Sequence, residues 1–173
     1  AIDREAAAPA IRRPAEELAW RLLAEGDDPP AVLLHGYTRS SSSWKPLLPW
    51  LGGRRVIGID LAGHGASPSP DPAAQLDFYR LEQAADAVAG IVERLGADPA
   101  HLVGYSLGGR TALHAALRHP GLWRTLALVS ANPGIEDEAA RGARREEDAA
   151  LAERIGAIGL ERFVGEWEAG PLF

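Results

Sequence analysis

The chain has 173 residues, 46% hydrophobic and 24% charged, with a formal net charge of −6; this is ordinary for one globular domain with a sizeable core, and the acidic balance argues against a general nucleic-acid or membrane-surface binder. Cysteine and methionine are both absent, which leaves no disulfide framework and no thiolate metal site. The sequence carries neither a run of about 18 apolar residues nor the apolar core of a signal peptide, so the default expectation is a soluble, cytoplasmic protein. Residue 1 is alanine and need not mark the start of translation. Among 18 basic residues Lys45 is the one lysine, a bias that lowers the information carried by any single arginine.

Residues 1–16, rich in alanine and charge, are expected to form an N-terminal arm. "ELAWRLLAEGDDPPAVLLHG" predicts two short strands around a turn at Gly26–Pro30. The run Ala31–His35 is apolar until its end, as in a strand buried on both faces. "TRSSSSW" at 38–44 reads as a polar loop. Three further strand-like runs follow: "VIGID" at 56–60, "HLVGY" at 101–105 and "TLALVS" at 125–130. Between them, "FYRLEQAADAVAGIVERLG" places Leu81, Ala85, Val88, Val92 and Leu95 on one helical face, with Gly96 as its stop. A second helix is expected from Leu107 to His119, carrying Ala112, Leu113, Ala116 and Leu117 and ending before Pro120. Strands alternating with helices predict an α/β fold with a mostly parallel sheet flanked by helices, over residues 17–131. From Asn132 the strand signal stops, and residues 132–173 read as the start of a helical cap.

"GYSLG" at 104–108, after a strand and before a helix, is the pattern of a nucleophile elbow, in which flanking glycines permit a sharp turn that presents the Ser106 hydroxyl. His35-Gly36 ends the earlier buried strand, where such a fold builds the other half of an oxyanion hole; the backbone amides of Tyr37 and Leu107 are the expected donors. The His35 ring itself reads as a structural loop histidine. Asp60 and His64 in "DLAGHGAS" do not read as triad members, and a histidine in such a loop reads as bracing its turn. Arg110 shares a helical face with Ser106, although a cation there opposes the helix dipole at a cost of roughly 0.3–1 kcal/mol. Arg141, Arg144, Asp148, Leu151, Ile155 and Ile158 form one stripe whose apolar end should be buried, putting its charged end beside the core or a cavity. For Arg144 two readings stand: an ion pair with Asp148, or contact with substrate.

"LLHGYT", "GIDLAGHGAS" and "GYSLGGR" together resemble the α/β-hydrolase superfamily. "SANPGIEDEAARGARREEDAALAERI" and "FVGEWEAGPLF" narrow the resemblance to the menaquinone-pathway synthases that form 2-succinyl-6-hydroxy-2,4-cyclohexadiene-1-carboxylate. The resemblance implies the α/β-hydrolase fold and a carbon–oxygen lyase that eliminates pyruvate from a small polycarboxylate cyclohexene precursor. Ser106, activated by a histidine, would be the base, and Arg110 and Arg144 would meet substrate carboxylates. Tyr105 and Trp167 match pocket positions of the family, though each can equally be a packing residue. No metal, organic cofactor, nucleic acid or membrane is implied, and oligomeric state is not legible.

One departure stands out. In this fold the triad runs Ser, then Asp or Glu, then His, yet the histidines after Ser106 are His114 and His119, both on or at the end of the elbow helix. The strands that carry the acid and histidine loops, roughly 90 residues at about 30 per unit, have no counterpart here. The expectation is a fragment of a longer enzyme, with the C-terminal part of the fold missing and little activity of its own. Competing readings are an esterase or carbon–carbon bond hydrolase of the same fold, and a non-catalytic receptor or scaffold.

Overall fold

Each predicted apolar run becomes a strand in the computed structural model, which describes residues 17–170; the expected N-terminal arm lies outside the described residues. The strands are β1 (Trp20–Ala24), β2 (Asp27–Leu34), β3 (Arg54–Ile59), β4 (Ala100–Tyr105) and β5 (Trp123–Val129). They form one sheet in the order β1-β3-β2-β4-β5, with β1 antiparallel to β3 and the other pairs parallel. β1 and β2 follow one another in sequence but do not pair. The turn expected at Gly26–Pro30 is shorter than predicted, because Asp27 already pairs with Arg54 and the proline pair lies within β2, at a register shift before Ala31. A proline has no N–H to give a ladder, so it belongs at such an irregularity.

β2 is buried on both sides because its alternate residues feed two cores. Val32 and Leu34 join Ile57, Ile59 and Leu102 under the helices α1 (Leu81–Arg94) and α2 (Leu107–Arg118). Ala31, Leu33 and Val56 face the other way, against Leu23, Trp44, Leu48 and Leu51. Burying each such Val, Leu or Ile contributes about 1.5–3 kcal/mol. The segment expected as a polar loop supplies part of that second layer: from Ser41 to Trp50 the chain runs in 3₁₀ turns despite Pro46 and Pro49, and Trp44 and Leu48 pack beneath the sheet.

α1 buries Ala85, Val88 and Val92 as its periodicity requires. It closes in a Schellman motif, Gly96 N–H donating to Glu93 O and Ala97 N–H to Val92 O, each at 3.0 Å. α2 departs from expectation. Its buried residues are Gly108, Gly109, Thr111, Ala112 and Ala115, while Leu117 is 74% exposed. The helix lies so close to the sheet that only small side chains fit between them. Its end is tied to α1: Arg118 donates to both Asp86 oxygens at 2.8 and 2.6 Å, and His119 Nε2 lies 2.7 Å from Oδ1. The Arg118 hydrogen bond, with that of His119, draws the Asp86 pKa from 3.8 down to about 2. A depressed carboxylate stabilises the fold fully above its unfolded pKa and ceases to do so as pH falls through the folded one. Asp86→Asn should therefore cost at most about 1 kcal/mol at neutral pH, solvent screening being considerable at this surface, and the gap from wild type should close between pH 4 and 2 in acid-denaturation curves.

The chain divides into two compact units, the break falling between Asn132 and Pro133. The second contains α3 (Glu138–Ile158) and α4 (Leu160–Glu168). Asp137 caps α3 by accepting the Ala140 N–H at 2.7 Å, and the helix passes Gly142 unbroken. Leu151, Ile155 and Ile158 are half-buried, and no residue of α3 is fully buried, so the expected burial of its apolar stripe is only partial. Arg154 and Arg162 both pair with Glu166, the former joining α3 to α4. No helix among the described residues is long and apolar enough to cross a membrane.

Candidate active site

The carboxyl ends of β2 and β4 meet at the turn around Ser106. Ser106 follows β4 directly and sits at φ 52°, ψ −111° as the residue before α2, a backbone region that a non-glycine residue occupies at a cost of about 1–3 kcal/mol. It is held there by its own N–H, which donates to Val129 O at 2.9 Å, and by its carbonyl, which accepts the Arg110 N–H at 3.0 Å. The glycines around it are steric requirements. A Cβ on Gly108 would lie 2.2 Å from Leu34 O and 2.6 Å from His35 O, and one on Gly104 would lie 2.3 Å from Gly108 O. The close approach seats the start of α2 against the end of β2.

Ser106 is half-buried, and its hydroxyl has no hydrogen-bond partner among the described residues. At the start of α2 the Leu107 N–H has no intrahelical acceptor and points with the positive end of the helix dipole. Across from it, the loop after β2 carries Tyr37. The Tyr105 ring lies against that loop, since a Cβ on Gly36 would fall 2.7 Å from Tyr105 Cδ1. Arg110 is exposed one turn into α2 and pairs with no carboxylate among the described residues, whereas Arg80, Arg94, Arg118, Arg144 and Arg154 each close on one. In the second unit, Arg144 Nε donates to Asp148 Oδ1 at 2.8 Å with both side chains more than half exposed, the i,i+4 ion pair that was one of its two readings. Trp167 stacks near Phe163 with ring centroids 5.6 Å apart.

Each of the five histidines has a partner other than Ser106. His35 bridges Gly36 and Leu61, His64 Nδ1 lies 2.8 Å from Ala62 O, His101 Nδ1 is 2.8 Å from Thr125 Oγ1, His114 is 4.0 Å from Glu82, and His119 holds Asp86. Asp60 is wholly buried, accepting the Ser41 N–H at 2.6 Å and the Ala66 N–H at 2.9 Å, with Arg21 at 3.5 Å. Burial alone would raise its pKa; the Ala66 amide, Ser41 and the Arg21 guanidinium more than offset that and hold it below the ordinary aspartate value. Its carboxylate is committed to backbone amides and so braces the turn that follows β3. The depth of that brace escaped the sequence, where an aspartate ending an apolar run was its one signal. A cavity of about 300 Å³ beside α1, lined by Glu17, Phe78, Asp86 and Arg94 among others, includes no elbow residue.

Comparison with known proteins bears on the fold. A 2-succinyl-6-hydroxy-2,4-cyclohexadiene-1-carboxylate synthase of Enterobacter sp. (strain 638) is 33% identical over 142 residues, 82% of this chain and 53% of the relative. A 2-(acetamidomethylene)succinate hydrolase of Mesorhizobium japonicum is 35% identical over 137 residues, 78% of this chain and 48% of the relative. The chain thus spans about half the length of these curated relatives. The solved structure of MenH from S. aureus superposes with a TM-score of 0.75 at 31% identity, covering 91% of this chain and 58% of that one. The family model for the alpha/beta hydrolase fold matches residues 29–155. With a strained serine between strand and helix, a parallel sheet behind it and a match over most of its length, the chain belongs to the alpha/beta hydrolase fold family.

Proposed function

We propose that this chain supplies the nucleophile elbow, the oxyanion loop and a carboxylate-binding arginine of a lyase that eliminates pyruvate from a polycarboxylate cyclohexene precursor, giving 2-succinyl-6-hydroxy-2,4-cyclohexadiene-1-carboxylate in menaquinone biosynthesis. The observation that carries the reading is Arg110: a guanidinium one turn beyond the elbow serine, exposed and unclaimed by any described carboxylate, in a chain similar to synthases of that name. A bidentate carboxylate is the natural partner of such a group. Ser106, relieved of its proton by a histidine base, abstracts a proton from substrate carbon. The electron pair moves to expel the pyruvate oxygen, the carbon–oxygen bond breaks, and the leaving enolate takes up a proton to become pyruvate. The Tyr37 and Leu107 amides stabilise charge developing on a substrate oxygen. The chemistry calls for no acyl-enzyme and no cofactor. Arg144, Tyr105 and Trp167 are proposed substrate contacts on the strength of the family resemblance, and the protein is proposed to work in the cytoplasm.

The test is incubation of the product of the complete reading frame with the precursor, following pyruvate. Release that depends on Ser106 supports the lyase; absence of release overturns it. Arg110→Ala should lower kcat/KM by roughly 2–5 kcal/mol in activation terms, as for loss of one partner of a desolvated charge pair. A second reading, hydrolysis, is favoured by the similarity to the Mesorhizobium japonicum hydrolase. Turnover of p-nitrophenyl esters with rapid fluorophosphonate labelling of Ser106 would select it.

A further inference from the structure

The loop that carries Tyr37 runs from His35 to Ser41, and both of its ends are fastened to one dipeptide, Asp60-Leu61, at the carboxyl end of β3. At the first end the Leu61 N–H donates to His35 Nε2 at 2.9 Å, and His35 Nδ1–H donates to Gly36 O at 2.8 Å. At the other end the Ser41 N–H donates to Asp60 Oδ1 at 2.6 Å. His35, Ser41 and Asp60 are 1%, 0% and 0% exposed. Because Nε2 accepts from an amide, the ring proton must be on Nδ1, and both nitrogens are engaged with backbone. Neither is available to take a proton from Ser106.

Between the two anchors the chain is strained. Arg39 N–H closes a turn on Gly36 O at 3.2 Å, and Thr38 within it has φ 62°, a conformation that a β-branched residue avoids. Strain of this kind persists only where the surroundings impose it. The far side of the Asp60 carboxylate is equally enclosed: Ala66 N–H donates to Oδ2, and a Cβ on Gly65 would fall 2.3 Å from that oxygen.

We infer that His35 and Asp60 are positioning residues that aim the Tyr37 amide into the oxyanion hole by stapling its loop to the end of β3, and that neither touches substrate. The inference rests on the oxyanion role of Tyr37 proposed above. Removing one anchor leaves the sheet intact but lets the strained turn relax, so the amide no longer meets the developing charge. Protonation of His35 has the same effect, since a proton on Nε2 would face the Leu61 N–H. Burial first, then the His64 ring at a centroid distance of 5.1 Å, lower the His35 pKa from its ordinary value, against the opposing pull of the Gly36 carbonyl and Asp60; Arg21 also faces the cluster, on Asp60. The staple therefore holds at neutral pH and fails on the acid side, as pH falls through the lowered His35 pKa.

The experiment compares His35→Asn, His35→Gln and Asp60→Asn in the product of the complete reading frame. Glutamine keeps an acceptor near the Nε2 position, whereas asparagine keeps only a donor near Nδ1. His35→Asn should lower kcat by about 10²–10³-fold, the effect of losing one oxyanion donor, with KM little changed, and His35→Gln should recover a large part of it. Fluorophosphonate labelling of Ser106, which uses the same hole without lyase chemistry, should slow in parallel. If His35→Asn fails to fold, Asp60→Asn carries the test by the same two readouts. A loss in KM alone, equal activities for Asn and Gln, or unchanged labelling would overturn the staple. No pyruvate from the wild type, with labelling still slowed in the variants, would remove the lyase reading and leave the staple standing.

Discussion

Replacing Ser106 by alanine is expected to lower turnover by about 10²–10⁴-fold, the range for loss of a positioned proton-transfer group, and to leave the melting temperature nearly unchanged. Ser106→Gly should lose the same activity but gain about 1 kcal/mol of stability in urea titrations. The difference comes from the backbone. At φ 52° and ψ −111° any side chain with a Cβ is strained by about 1–3 kcal/mol, and alanine retains that Cβ. Glycine removes the strain, less its own cost of roughly 0.5–1 kcal/mol in chain entropy. Equal stabilities for the alanine and glycine variants would show that the elbow carries no strain.

Gly108→Ala should have the largest effect on stability of any single substitution at the elbow, a loss of at least about 3 kcal/mol, the upper range for overpacking. The added methyl would stand 2.2 Å from Leu34 O and 2.5 Å from the Leu34 carbonyl carbon. Both belong to a strand hydrogen-bonded on its two sides, so they cannot swing aside as a flexible side chain could. α2 would have to lift from β2, taking the Leu107 amide with it, and activity should fall together with the denaturation midpoint. Gly142→Ala is the control: nothing lies within 4 Å of a Cβ there, and in an exposed helix it should stabilise by up to about 1 kcal/mol.

The strands were legible because two-sided burial writes itself as uninterrupted apolar runs, and Val32, Leu34, Ile57 and Ile59 read correctly for that reason. The sharp turn at Ser106 was legible because its glycines are demanded by local geometry, which is a property of adjacent residues. The buried face of α2 was not. Hydrophobicity points to Leu113 and Leu117, but the separation of helix and sheet is set by Gly104 and Gly108 at the elbow, and at that distance Thr111 and Ala115 fit where leucine does not. The polar loop after β2 misled for a related reason: its serines and prolines signal irregular chain, while the packing of Trp44 and Leu48 depends on the distant strands β2 and β3. The role of Asp60 was not legible, since its hold on Ser41 is a contact across 19 residues, and no periodicity reports such a pairing.

The strand order also governs how the chain can fold as it is made. β2 occupies the middle of the sheet and needs partners on both sides, yet β3 ends at Ile59 and β4 begins only at Ala100. At roughly 5–20 residues per second, the interval between synthesis of Leu34 and of β4 lasts on the order of 3–13 s. For that time a nascent chain holds Ala31–Leu34 against one neighbour at most, with its other edge open. β1, first of the strands to emerge, must wait for β3 before it has anything to pair with. Topology of this kind makes folding slow and leaves apolar strands exposed during synthesis, so the yield of folded protein in a cell should depend on translation rate and on chaperones that cover the second strand.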